Sequence, residues 1–301
     1  MHVLISIAIV SFNRPKDLRR ALESVVAQTY PHLEILVCDS SSDPAVAAIL
    51  TEFAHADARV KIHHHATDLG MTYNFNYILQ QARGEFFMWV ADDDWLDPRA
   101  AQLLGEALNR NPIAVLANSS VNFYQRGEFE STVPPHVITG ASASTRVLSY
   151  CRTVTHNSIM LGLHRRANLS GLVLSEDLAH DWIYMVKVVA RGPVATIPEA
   201  VLQRSLGGAS ESIEKLIQVR QLQKQYPQNL YRKYGTELFR GLLRDRRQLT
   251  EMTSLQVLGL ALIAGGVFWY RGSVSPGLRA SIKRRVSCRP FTKNPRTGDF
   301  T

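Results

Sequence analysis

The chain has 301 residues, 46% hydrophobic and 20% charged, which supports a real core and excludes global disorder. Its three cysteines, Cys38, Cys151 and Cys288, lie far apart with no CxxC, which fits a reducing compartment and excludes a disulfide framework or a zinc ribbon. The formal charge of +8 is uneven: from Arg271 onward eight basic residues stand against one acid, Asp299, so the basic character belongs to the C-terminal tail.

In chain order, residues 3–10 (VLISIAIV) read as a buried strand. They lack the basic start and small-residue cleavage site of a secretory signal. Pro15 then opens a helix whose apolar positions Leu18, Ala21, Leu22, Val25 and Val26 recur at helical spacing. HLEILVCD is a second strand running into the loop SSSDP, followed by a helix at 45–54 and a third strand, RVKIHHH. MTYNFNYILQQARG is helical with Gly84 near its C-terminal cap. EFFMWVA is a fourth strand, DPRAAQLLGEALNRN a helix and IAVLANSSVNFY a fifth strand. NSIMLGLH reads as a strand, LAHDWIYMVKVVARG as a helix and VATIPEAVLQR as a strand. Residues 211–252 look helical and charged. Residues 255–270 are strongly apolar, yet short of the roughly 18–20 needed to span a bilayer; with the basic tail behind them they could lie on an anionic membrane surface.

Strands alternating with helices predict an α/β fold with a mostly parallel sheet flanked by helices, in which ligands bind off the carboxyl ends of the strands. SFNR, DSSSD and ADDD each follow a strand, so all three should gather on one rim. Asp92, Asp93 and Asp94 pose an electrostatic problem there. Two like charges about 4 Å apart repel by roughly 4 kcal/mol at an effective dielectric of about 20, so something positive is expected beside them. One or two of these carboxylates could meet Mg²⁺ or Mn²⁺ bridged to substrate phosphates, while another bonds sugar hydroxyls. The plainer alternative is an acidic loop in which Asp94 or Asp97 caps the next helix. No GxxxxGK[ST] is present, and no GxGxxG follows the first strand, which excludes a P-loop and argues against a dinucleotide fold. Consecutive His63, His64 and His65 alternate faces on a strand and make a poor joint metal site.

The stretch ISIAIVSFNRPKDLRRALESVVAQTYPHLEILVCDSSSD resembles the opening of family 2 inverting glycosyltransferases with the GT-A fold, and DLGMTYNFNYILQQARGEFFMWVADDDWLDP is similar to the segment carrying their DxD-type carboxylates. The likeness covers about residues 3–210, which delimits a GT-A, Rossmann-type domain at 1–210 and a helical C-terminal extension at 211–301. It implies that Ser11 and Phe12 line the base and ribose, that Asp39 accepts a hydrogen bond from the base, that Asp92 holds the ribose or a sugar hydroxyl, and that Asp93 ligates a divalent cation with Asp94 close by. Ala91 stands where the first Asp of DxD is usual, Asp68 where Asn is usual, and Ser40 where a second Asp is common. HDWIYMVKVVARG resembles the family's Glu-Asp-Trp helix start, which makes Asp181 the base that deprotonates the acceptor, with His180 in place of Glu; Glu176 and Asp177 are rivals. Arg204 falls in an Arg-x-His-like segment, with Leu206 for the His, and could pair with phosphate or form a surface ion pair. Phe12 in packing, Asn13 in a turn and Asn76 as an internal bridge are the structural alternatives to ligand contact, as is core packing for Trp182 and Tyr184, which could otherwise stack on a sugar. The absence of Gln-x-x-Arg-Trp favours one sugar per encounter.

The function that follows is transfer of one sugar from a nucleoside-diphosphate sugar to a hydroxyl acceptor, with inversion and a divalent cation, in cell-surface polysaccharide or glycolipid assembly at the cytoplasmic face of the cell membrane. The partners expected are the donor, a glycan or lipid-linked acceptor and, through 255–301, the membrane periphery. A nucleotidyltransferase on a similar sheet would want a glycine-rich basic first loop. A non-enzymatic basic module for membrane or nucleic acid would leave the acidic rim unexplained.

Overall fold

The computed structural model describes residues 3–154, 156–177, 179–206, 230–249 and 252–273. Four parallel strands make its first half: β1 (Ile5–Ser11), β2 (Leu33–Asp39), β3 (Val60–His64) and β4 (Phe86–Ala91), in the order β3-β2-β1-β4. The unbroken apolar runs have a direct cause. Ile5, Ile7 and Ile9 of β1 and Phe86, Phe87 and Trp89 of β4 are fully buried, as expected for strands covered on both faces. The crossovers are α1 (Pro15–Val26), α2 (Pro44–Ala56) and α3 (Met71–Gln81). Pro15 does open α1, and Asp43 caps α2 by accepting from the Ala45 amide.

Beyond β4 the sheet becomes mixed. Trp95–Leu96 form a short β5, and α4 (Ala100–Arg110) leads into β6 (Leu116–Gln125), which hairpins into β7 (Glu128–Val133). α5 (Ala143–Thr153) precedes β8 (Leu163–Arg165), and α6 (His180–Arg191) leads into β9 (Val194–Leu206). β8 is wedged antiparallel between β4 and β6, while β6 and β9 run parallel. The strand expected over NSIMLGLH is therefore shorter than its apolar composition predicts: Asn157–Leu161 is a 3₁₀ turn and three residues only enter the sheet. A side chain at Gly162 would stand 2.5 Å from the Ala117 carbonyl, so only glycine fits where the 3₁₀ turn passes into β8.

Gly84 does not cap α3, which ends at Ala82. A Cβ at Gly84 would meet the Ser6 amide at 2.6 Å, and buried Glu34 accepts from Ser6 Oγ, the Arg83 amide and the Gly84 amide. The Ala-Arg-Gly turn thus fixes the start of the strand that ends in the three aspartates.

In the C-terminal extension, α7 (Leu230–Arg244) and α8 (Ser254–Ser273) pack on each other and against α6 and α5. Gly265 lets α8 approach the α7 backbone at Gly235, where a Cβ would meet the carbonyl at 2.8 Å. The expected boundary at 210 and the helical reading of 211–229 lie outside the described residues, as does the tail from 274.

Candidate active site

The carboxyl ends of β1, β2 and β4 do meet. The Phe12 amide donates to Asp92 Oδ2 at 3.2 Å, and Arg14 Nη1 lies 3.1 Å from Asp92 Oδ1 and 3.0 Å from Asp93 Oδ2. Asn13, at φ +52°, ties the first two loops together: its Oδ1 accepts from the Ser42 and Asp43 amides, and its own amide donates to Ser41 Oγ. Asn13 is thus a turn residue. Asp39 is buried, accepting from the amide and hydroxyl of Ser41 and facing His64 Nδ1 at 2.9 Å; His64, half exposed, is the outer member of that pair. Phe12 is 46% exposed on the same rim, whereas Ser11 is enclosed and its Oγ finds no hydrogen-bond partner among the described residues. Alternation along β1 turns Ser11 inward and Phe12 outward.

The positive charge beside the three aspartates comes from arginines. Arg14 serves Asp92 and Asp93. Arg204 Nε donates to Asp94 Oδ2 at 2.9 Å, with the Ser205 amide on Oδ1 at 3.0 Å. Arg20 Nη2 donates to the Asp93 carbonyl and to Ser205 Oγ while its guanidinium lies 4.0 Å over Trp95. Burial pushes the Asp92 carboxyl up to about 7 against the pull of Arg14, and pushes Asp94 up to about 6 against Arg204. Asp94 is wholly enclosed with both oxygens occupied, so in this geometry it does not present itself to a cation; its ion-pair partner Arg204 remains 16% exposed. Asp93 keeps Oδ1 without a protein partner among the described residues and is partly exposed. No three His, Cys, Asp or Glu side chains converge on a cation position among the described residues. A hard cation bridged to substrate phosphates needs only one or two protein carboxylates, however, and Asp93 meets that requirement.

Asp181 stands in the first turn of α6. Its Oδ2 accepts from Asn157 Nδ2 at 3.0 Å, Asn157 Oδ1 accepts from Tyr150 OH, and the neighbouring Ser158 Oγ accepts from Arg204 Nη1 at 2.9 Å. The 157–158 turn therefore links Asp181 to the Asp94–Arg204 pair. Of the rivals, Glu176 is exposed, and Asp177 is engaged by Arg244 through two hydrogen bonds of 3.1 and 2.6 Å. Burial would raise the Asp177 carboxyl, but the bonds from Arg244 and Ser175 hold it below its ordinary value.

Asn76 acts as a bridge: its amide donates to the Leu174 carbonyl and accepts from the Leu174 amide, fastening the loop before α6. Trp182 and Tyr184 are core residues. His63 and His65 share one face with Tyr77 while His64 turns to Asp39, as strand alternation requires. The residues that reasoning from sequence missed are Arg14, Arg20, His64 and Asn157. Arg14 was legible, since it lies two positions past Phe12 in the same turn; Asn157 carried no local signal.

The pattern of "Glycosyl transferase family 2" matches residues 6–160, more than half of the chain. The chain belongs to this family. An uncharacterized protein of Mycobacterium tuberculosis is 28% identical over 211 residues, covering 67% of this chain and 59% of that relative. The chain thus spans about three fifths of the length of that curated relative. S. aureus TarS in complex with UDP-GlcNAc superposes with a TM-score of 0.63 at 14% identity, over 93% of this chain and 76% of that one. The mannosyltransferase PcManGT of Pyrobaculum calidifontis, in complex with GDP-Man and Mn²⁺, gives 0.50 at 13%, over 95% and 80%. The family 2 chain described here therefore has a GT-A-like fold.

Proposed function

We propose that this family 2 chain is an inverting glycosyltransferase that moves one sugar from a nucleoside-diphosphate sugar to a hydroxyl acceptor. The observation that carries the reading is the convergence of Phe12, Arg14, Asp92 and Asp93 at one end of the sheet, with Asp181 joined to that end through Asn157, Ser158 and Arg204. The complexes of the structural neighbours with UDP-GlcNAc and GDP-Man support a nucleotide-sugar donor.

In this reading Phe12 lies against the base and ribose, Asp39 with its partner His64 meets the base edge, and Asp92 takes a ribose or sugar hydroxyl. Asp93 would hold a divalent cation, Mg²⁺ or Mn²⁺, which when bound supplies positive charge beside the donor's phosphates. Arg14 adds a fixed charge at the same place. Asp181 accepts the proton of the acceptor hydroxyl as its oxygen attacks the anomeric carbon. The bond from that carbon to the diphosphate breaks as the new glycosidic bond forms, and its electron pair leaves with the diphosphate. A single in-line displacement inverts the anomeric centre. The setting we propose is cell-surface polysaccharide or glycolipid assembly at the cytoplasmic membrane face.

Replacing Asp181 with Asn leaves one acceptor oxygen for Asn157 or the Trp182 amide and removes the proton acceptor. We expect kcat to fall by about 10²-fold or more, the usual range for a lost general base, with donor affinity unchanged. Undiminished turnover in Asp181→Asn, measured as nucleoside diphosphate release, would move the base to Glu176.

A further inference from the structure

One face of α8 has no partner among the described residues. Val257, Leu260, Ala261 and Ala264 are buried against the rest of the fold, but Leu255 is 80%, Leu262 58%, Leu258 39% and Ile263 36% exposed. These four fall at i, i+3, i+7 and i+8, a single stripe at helical spacing. Gly259 and Gly266 extend it, each with open space where a side chain would be. From Met252 to Tyr270 the sequence holds no Asp, Glu, Lys or Arg; the eight basic residues from Arg271 to Arg296 then follow. No described helix is long and apolar enough to cross a membrane, and the inner face of α8 is already committed to the fold.

We infer that this stripe, Leu255, Leu258, Leu262 and Ile263, is a docking surface for an anionic lipid bilayer, on which α8 lies parallel to the membrane plane. The charge argument selects the occupant. A second copy of the chain would bring a second strongly basic tail to the same place, whereas an anionic headgroup layer accepts both the apolar stripe and the positive charge that follows it. The two signals are of the kind that give stable attachment together when neither suffices alone. The inference gives a specific surface to the membrane setting proposed above and rests on that reading only for the nature of the acceptor.

The surface is also mechanically joined to the catalytic side. The segment after α7 holds the loop that leads into α6: fully buried Lys187 of α6 donates to Asp245 Oδ2 at 3.0 Å, to Gln248 Oε1 at 2.8 Å and to the Val173 carbonyl at 3.1 Å. Arg244 grips Asp177 four residues before Asp181. The helix that packs on α8 is therefore tied to the loop before the proposed base, which suits an acceptor carried on a lipid.

The test is flotation of the full chain, without nucleotide, on vesicles of phosphatidylcholine alone and of phosphatidylcholine with phosphatidylglycerol at 3:1. We expect partition onto the anionic vesicles only, falling about 10-fold or more between 0.1 and 0.5 M salt as the Debye length shrinks. The double variant Leu258→Asp/Leu262→Asp changes outward positions and should keep the wild-type melting temperature while losing at least about 10-fold in partition; Leu255→Gln should lose less. Undiminished binding by the double variant would overturn the inference and assign attachment to the tail alone. Absence of vesicle binding, or a dimer in solution that the double variant makes monomeric, would overturn it in favour of a second copy. Neither result touches the donor chemistry, which is read separately from diphosphate release.

Discussion

Asp94 is fully shut away from water where it meets the partly exposed Arg204, and this changes what each can do. An ion pair of this kind is weak support for stability as a pair, but removal of one partner leaves a buried charge without compensation. Arg204→Met should therefore destabilise the fold by about 3–5 kcal/mol, and Asp94→Asn combined with Arg204→Met should lose less than the two single changes together. Urea unfolding of the four proteins of the cycle measures this; strict additivity would contradict the pairing. The sequence reading left Arg204 to pair with phosphate or to form a surface ion pair. Side-chain direction was the missing quantity: three consecutive acids cannot all face one way, and only packing decides that Asp94 turns inward and Asp93 outward. The same holds for Ser11 and Phe12, neighbours in sequence but opposite in exposure.

Among elements, the junction between α6 and the segment after α7 governs how Asp181 is presented. The loop at 172–177 is fastened on one side by Asn76 and on the other by Gln248, Lys187 and Arg244. Burial lowers the Lys187 ammonium pKa, and Asp245 offsets part of that shift. Arg244 is half exposed, so its replacement leaves no large cavity. Arg244→Met should lower kcat by about 10- to 10²-fold through misplacement of the proposed base, Asp181, with the donor KM unchanged, and Arg244→Lys should restore part of the loss. Steady-state kinetics decide the matter: a raised KM with intact kcat would show that the junction acts on donor binding instead. This clamp was not legible from sequence, because its members are separated by about seventy residues and none belongs to a motif. The β6–β7 hairpin was missed for a different reason. Its turn is Arg126-Gly127, both at positive φ, and β7 is almost entirely exposed, so neither an Asn-Gly signal nor a clean alternation of apolar residues marks it. α5 left a trace that could have been read: Ser142 and Thr145 form a reciprocal capping box ahead of Val147, Tyr150 and Cys151.

For the whole molecule, the first half of the fold was legible because β1, β2 and β4 are buried on both faces and the crossovers are amphipathic, so hydrophobicity reports the topology. The second half is mixed in direction, and β8 is only three residues long because the apolar run before it is a 3₁₀ turn. The extension, which composition marked as a basic appendage, packs on α6 through α7 and the Lys187 junction, next to the loop that precedes the proposed base. What this architecture is for comes down to the chemistry at the sheet's carboxyl end. The most direct measurement is a thermal-shift panel of nucleoside diphosphates with and without Mn²⁺, on the wild type and on Asp93→Ala. At 100 times its dissociation constant the matching nucleotide with Mn²⁺ should add about 2.7 kcal/mol to the wild type, and Asp93→Ala should lose the Mn²⁺-dependent part. A wild type that no nucleotide stabilises, or an Asp93→Ala variant with the full Mn²⁺-dependent gain, would contradict the account.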